Sequence, residues 1–375
     1  MKGWSKGKIR KLTVLAAGMI GAAGILAGCG SGAPTPAAGV EEAGREEASL
    51  SAEAPGLAES AEATPEKVSI TNISYDPTRE LYEQYNKLFA DYWKAKTGQE
   101  VEIVQSHGGS GKQARSVLEG NEADVVTLAL EGDVDELRKA GLIDEGWVDE
   151  LAQKSSPYTS TIVFLVRKGN PKNLGDWDDL VKPGVEVITP DPKSSGGARW
   201  NFLAAWAFAD RQNGGDEEKN KEFLKALYGN VTVLDSGARG STTTFVENGQ
   251  GDVLLAWENE AFLSIKEHPE EFEIIAPSLS ILAQPSVTVV DENARKHGTE
   301  EVAREYLAYL YSEEAQRLEG ESYYRPSNPE ILKEFADVFT LDIELVNIDD
   351  DFGGWEAATE KFFADGTIFD QIYSQ

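Results

Sequence analysis

Beyond residue 66 the chain alternates between two hydrophobic periods. VSITNIS (68–74) is β-branched with a period of two, which predicts a strand. Asp76-Pro77 follows, a favoured helix N-cap before a residue favoured at the first helical position. Leu81, Tyr85, Leu88, Phe89 and Tyr92 then share one helical face. VEIVQ (101–105) predicts a second strand, and SHGGSGKQ (106–113) a glycine-rich turn into the helix KQARSVLEG. ADVVTLAL (123–130) predicts a third strand of the fully buried kind. This order predicts a parallel sheet covered on both faces.

The same order recurs downstream. STIVFLVRKG (160–169) and VEVITP (185–190) predict strands, and KSSGGARWNFLAAWAFAD a second glycine-rich turn into a long helix. NVTVLDSG (230–237), ARGSTTTFVENG and GDVLLAW (251–257) repeat strand, turn with helix, strand. SVTVV (286–290) and the amphipathic EEVAREYLAYLY (300–311) add a strand and a helix. The fold class is α/β. Ligands of open α/β sheets sit beyond the carboxyl ends of strands, so the glycine-rich turns are expected to gather at one cleft.

The first 66 residues follow neither period. Residues 1–11 are basic, 12–28 are uncharged and mostly apolar, and small residues precede Cys29. That is the layout of a secretory signal, and its apolar run of 17 residues is shorter than the roughly 20 of a spanning helix. Leu26-Ala27-Gly28-Cys29 resembles a bacterial lipobox, which makes Cys29 the expected lipidated N-terminus after removal of 1–28. Acylation there, for example by palmitate, would anchor the protein to the membrane. Residues 29–66 are rich in Ala, Gly, Glu, Ser and Pro, with too little apolar surface to offset ordering, and are expected to form a disordered tether. Cys29 is the only cysteine, so no internal disulfide is available.

The formal charge of −30 is concentrated in the body. Residues 1–28 carry +5 and 30–66 carry −7, which leaves −28 on 67–375. So acidic a body argues against a nucleic-acid partner, since phosphate binding needs clustered Lys and Arg. An anionic ligand would have to be held by short-range hydrogen bonds, the long-range field being screened beyond about 8 Å at physiological salt.

Three strand-to-helix turns share one design: Ser110-Gly111, Ser194-Ser195-Gly196-Gly197 and Ser236-Gly237-Ala238, with Asp76-Pro77 as a fourth helix start. A helix N-terminus offers unpaired N–H groups and about half a positive charge, glycine allows close approach, and serine adds a donor. Each turn alone is explained by an ordinary Ser cap and turn Gly. Together, each after a strand, they point to anion binding without a basic side chain. SHGGSGKQ is not a nucleotide P-loop, because Ser106 stands where the first Gly is required and Gln113 where Ser or Thr would hold magnesium. No His or Cys pair has metal spacing, so no metal or cofactor is expected, and no Gly-x-Ser-x-Gly elbow supports a hydrolase.

Several blocks are more specific. SYDPTRELYEQYN (74–86), QSHGGSGKQA (105–114), PYTSTIVFLVRKGNPK (157–172), ITPDPKSSGGARWN (188–201), VLDSGARGST (233–242), AWENEA (256–261) and DFGGW (351–355) resemble, in order, the sulfate-binding proteins of bacterial ABC importers. The resemblance covers essentially all of 67–375. It implies a type II periplasmic-binding-protein fold: two α/β lobes with a ligand cleft and a two-segment hinge. The implied division gives 67–162 and 284–375 to the first lobe and 163–283 to the second. It implies no catalysis, and capture of sulfate or thiosulfate by a monomer that delivers it to the permease subunits of an importer. The donors it implies are the N–H of Asp76, Ser110, the Ser195 hydroxyl, the N–H groups of Gly196, Gly197 and Ala238, and the Trp257 indole. Without the resemblance Asp76 reads as an N-cap and Trp257 as a core aromatic. The lipoprotein head and acidic tether depart from soluble members of the family. Two other functions fit the same residues: an anion-cradling enzyme acting on phosphate or sulfate esters, and an adhesive or sensing surface lipoprotein.

Overall fold

A computed structural model describes residues 67–341 and 343–373. The expected signal segment 1–28, Cys29 and the tether 29–66 lie outside the described residues.

Two sheets organise the body. In the first, Lys67–Tyr75 lies between Glu100–Gly108 and Val125–Leu128, parallel to both. Ser286–Val289 closes it antiparallel to Val125–Leu128. Side chains alternate across it as the period of two requires. Ile70 and Val125 meet Tyr82, Tyr85, Phe89 and Tyr306 on one face. Ile73 and Val126 meet Ala114, Val117, Leu137 and Trp147 on the other. Each such buried side chain contributes about 1.5–3 kcal/mol.

The second sheet runs in the order Val231–Asp235, Val187–Pro190, Val253–Trp257, Ile162–Arg167, Phe272–Ile275. Ile188 and Leu254 pack on Phe245, while Val187 and Leu255 face Trp200 and Leu203 of the helix Gly196–Asn213. Ile162–Arg167 is antiparallel to both its neighbours. The sheets are therefore mixed and not parallel throughout. A strand that enters a lobe directly from the other lobe, without a crossover helix, is free to run the opposite way.

Helices without a sequence expectation include Glu217–Gly229, Glu258–Glu267 and Glu313–Glu321. The last buries Ala315, Gln316, Glu319 and Gly320, small and polar residues that leave no apolar stripe to read.

The C-terminal stretch departs from the expected division. Glu344–Val346 pairs in parallel with Leu279–Ile281. Trp355 then meets Trp200 edge-on at 4.6 Å, Phe362 meets Trp206 at 4.9 Å and Phe369 meets Tyr228 at 5.4 Å. These residues share the core of the second lobe, whereas the expected boundaries put 284–375 wholly in the first. Residues 294–315 do pack in the first lobe. The chain thus passes between the lobes a third time. Aromatic area is the physical reason: the helix Gly196–Asn213 is apolar all round and needs a cover on its outer side.

Candidate functional site

Each turn singled out by the sequence opens a helix. Ser195 caps Gly196–Asn213 with an extended backbone, its Oγ accepting from Ala198 N at 3.3 Å. That bond uses a lone pair, so the hydroxyl hydrogen remains to donate. The N–H groups of Gly196 and Gly197, at the first two helical positions, have no intrahelical acceptor. Ser110 opens Ser110–Leu118. Its hydroxyl donates to Asp133 Oδ2 at 2.5 Å and accepts from Ala129 N at 3.1 Å, which leaves its backbone N–H as the free donor. Ala238 opens Ala238–Val246 behind Gly237, with no side-chain cap.

Asp76 is not the N-cap the sequence suggested. Tyr75 holds that position, and Asp76 is the first residue of a 3-10 turn, Asp76–Thr78, that leads into the helix Arg79–Thr97. No side chain caps the turn. The Asp76 carboxylate points across to Gly237, where any Cβ would collide with it, so it is not available to cap its own backbone.

Close approaches tie the four loops together. A Cβ built on Gly196 would lie 3.0 Å from Ser110 Cβ, and one on Gly197 would lie 2.8 Å from Trp257 Nε1. One on Gly109 would lie 2.8 Å from Ser194 O and 2.9 Å from Ser236 O. All seven expected residues therefore converge where the lobes meet, and Gly109, Gly196 and Gly197 leave no room for a Cβ. Trp257 ends the strand Val253–Trp257 and is 1 % exposed, its ring 5.2 Å from that of Tyr75. Its indole Nε1 is buried and bonded to no protein atom. A buried donor without an acceptor costs about 1–3 kcal/mol, so a ligand acceptor is its natural partner.

Three nearby cations are engaged with other groups. Arg239 Nη2, on the second lobe, lies 2.7 Å from Glu80 Oε1 on the first and 3.1 Å from Glu260 Oε1 on its own. Arg199 Nε donates to Pro192 O at 3.0 Å, and Lys193 Nζ lies 2.9 Å from Asp370. Burial raises the carboxyls of Asp76 and Asp133 above their ordinary range, against the pull of Arg79 on the first and Arg199 on the second. Burial also lowers His107 to about 4, so its ring is neutral. Among the described residues no group of three His, Cys, Asp or Glu side chains could hold a metal ion. The converging groups are donors and suit a ligand made only of acceptors. Sequence reasoning had found three of the loops by their Ser-Gly spelling. It had no local signal for Trp257, because an aromatic at a strand end is ordinarily core.

Comparison with known proteins agrees with this geometry. The family model for bacterial extracellular solute-binding proteins matches residues 78–325. The sulfate-binding protein of Escherichia coli (strain K12) is 60% identical over 306 residues, covering 81% of this chain and 93% of that protein. The thiosulfate-binding protein of Pseudomonas aeruginosa is 47% identical over 307 residues, covering 81% of this chain and 92% of that one. Among solved structures, the sulfate-binding protein SubI from Mycobacterium tuberculosis H37Rv superposes with a TM-score of 0.69 at 33% identity, covering 78% of this chain and 98% of that one. Among the described residues no helix is long and apolar enough to cross a membrane. With two α/β lobes whose glycine-rich loops converge, and relatives of this identity along most of its length, the chain belongs to the bacterial extracellular solute-binding proteins of ABC importers, a family of binders and not of enzymes.

Proposed function

We propose that this chain captures sulfate or thiosulfate outside the cytoplasm and delivers it to an ABC importer. The carrying observation is the buried Trp257 Nε1, unpaired and set against the free helix start at Gly197. The ligand accepts from the N–H groups of Asp76, Ser110, Gly196, Gly197 and Ala238, from the Ser195 hydroxyl and from the Trp257 indole. Sulfate is a dianion with acceptors only, so such a ring satisfies it. Hydrogen phosphate carries a proton that would face another donor, and one unmade buried bond of about 1–3 kcal/mol gives roughly ten- to hundredfold discrimination. Charge is balanced by dipoles at converging helix starts, which act more strongly once closure excludes water. Thiosulfate offers the same acceptor-only chemistry, and relatives named for each ligand support both.

Lipidation at Cys29 would hold the binder, as a monomer, beside the permease it supplies. Mass spectrometry of the membrane-extracted chain tests this through diacylglyceryl-modified Cys29, absent from Cys29→Ser. For the ligand, calorimetry on stripped protein should show saturable binding of sulfate or thiosulfate, with phosphate roughly ten- to hundredfold weaker. Ser195→Ala should weaken it by about 1–3 kcal/mol. An absence of heat with both sulfur oxyanions rules the assignment out.

A further inference from the structure

The outer edge of the first sheet carries a second surface that solute binding leaves unused. Glu100–Gly108 is the terminal strand, paired only with Lys67–Tyr75 among the described residues. Its nine residues run in unbroken register, with no bulge. Protective devices are sparse there. Edge strands are ordinarily blunted by short length, proline, bulges or charge. Here the only charges, Glu100 and Glu102, sit at the end away from the cleft and are paired with Lys94 and Lys67. Ile103–Gly108 has neither charge nor proline, and Val104 is 48 % exposed.

Beside this edge lies an open groove of about 440 Å³ between the strand and the helix Arg79–Thr97. Ala90, Val101 and Ile103 make it apolar at one end. Gln105 and His107 line the end nearer the cleft, and there Gln105 Nε2 and His107 Nδ1 are buried without a partner. Burial keeps the His107 ring neutral. These two unpaired nitrogens lie two residues apart on one strand. Arg79 on the rim is exposed and forms no ion pair among the described residues, in a body whose formal charge is −28.

We propose that this groove receives an extended segment of the importer's membrane subunit, which adds as a strand to the free edge. The segment would carry an acidic side chain to meet Arg79 and branched apolar side chains to fill the Val101–Ile103 end. Strand addition takes its affinity from backbone bonds and its specificity from such pockets. The edge strand ends at Gly108, and the next two residues are Gly109 and Ser110 at the ligand site, so the docked segment reports on the lobe that holds the ligand.

The proposal rests on the delivery role proposed above. Its test is uptake of labelled sulfate by liposomes holding the importer, titrated with wild-type chain, Arg79→Glu or Val101→Asp. Calorimetric affinity for sulfate should be unchanged in Val101→Asp, and uptake by Arg79→Glu is compared at equal ligand occupancy. The binder concentration giving half-maximal uptake should rise at least tenfold, and a photo-crosslinker at Lys87 should label the membrane subunit. Wild-type-like uptake by both variants overturns the groove, as does crosslinking at Lys87 only to a second copy of this chain. Absence of uptake with the wild type overturns the delivery role instead.

Discussion

Glu260 shows how burial outweighs pairing at one residue. Its carboxyl lies 3.1 Å from Arg239 and accepts from Thr242 Oγ1 at 2.8 Å, yet it is pushed up to about 7 because it is 2 % exposed. Arg239 itself is raised by Glu260 and Glu80, so the pair agrees on attraction and differs only in how much burial opposes it. A carboxyl raised in the folded state contributes stability below its ordinary value and loses it as pH climbs through about 7. Glu260→Gln, which never ionises, should flatten the decline in urea-derived stability between pH 5 and 8, by an order of 3 kcal/mol. Equal slopes in variant and wild type would sink this account. At this scale the sequence was legible where chemistry has a spelling. Ser195-Gly196-Gly197 spells a helix-start anion site. Trp257 spells only an aromatic, and its free indole hydrogen emerges from the tertiary contact with Gly197. Asp76 was misread because cap preference is local, while the carboxylate is drawn to Gly237 on the other lobe.

Among the elements, the turn Ala152–Ser155 stands apart. Gln153, Lys154 and Ser155 have φ of 55°, 57° and 55°, three consecutive left-handed residues without a glycine. Each costs about 1–2 kcal/mol. Compensation comes from Ser155 Oγ, which donates to Trp147 O at 2.9 Å, and from Lys154 Nζ, 2.6 Å from Asp349. Gln153→Gly keeps both contacts and should raise stability by roughly 1 kcal/mol, read as a higher urea midpoint. A lower midpoint would show that the turn is unstrained. Strong periodic elements such as Lys67–Tyr75 and Gly196–Asn213 were legible almost to their ends. Glu313–Glu321 was not, because its buried side includes Gln316, which bonds Pro157 O, Leu310 O and Glu319 instead of filling an apolar stripe. Nothing in QKS announces a left-handed turn either, since the penalty is offset by partners distant in sequence.

Taken whole, the molecule is a pair of lobes whose order along the chain the sequence conveyed better than their membership. Alternating strands and helices marked two α/β units, but no local pattern assigned the final stretch to the second. Trp355, Phe362 and Phe369 look like any amphipathic tail until Trp200, Trp206 and Tyr228 are seen opposite them. That arrangement sets an order of folding during synthesis. The cover of the second lobe is made well after the aromatic surface it shields, so that lobe stays incomplete until Phe369 has been added. A chain awaiting passage through a secretion pore would thereby be kept from folding too early. Polypeptide ending at Ile343 should bind a hydrophobic dye and be cut quickly by protease, whereas the full chain excludes the dye. Dye exclusion by the shortened polypeptide would show that the second lobe matures without its tail.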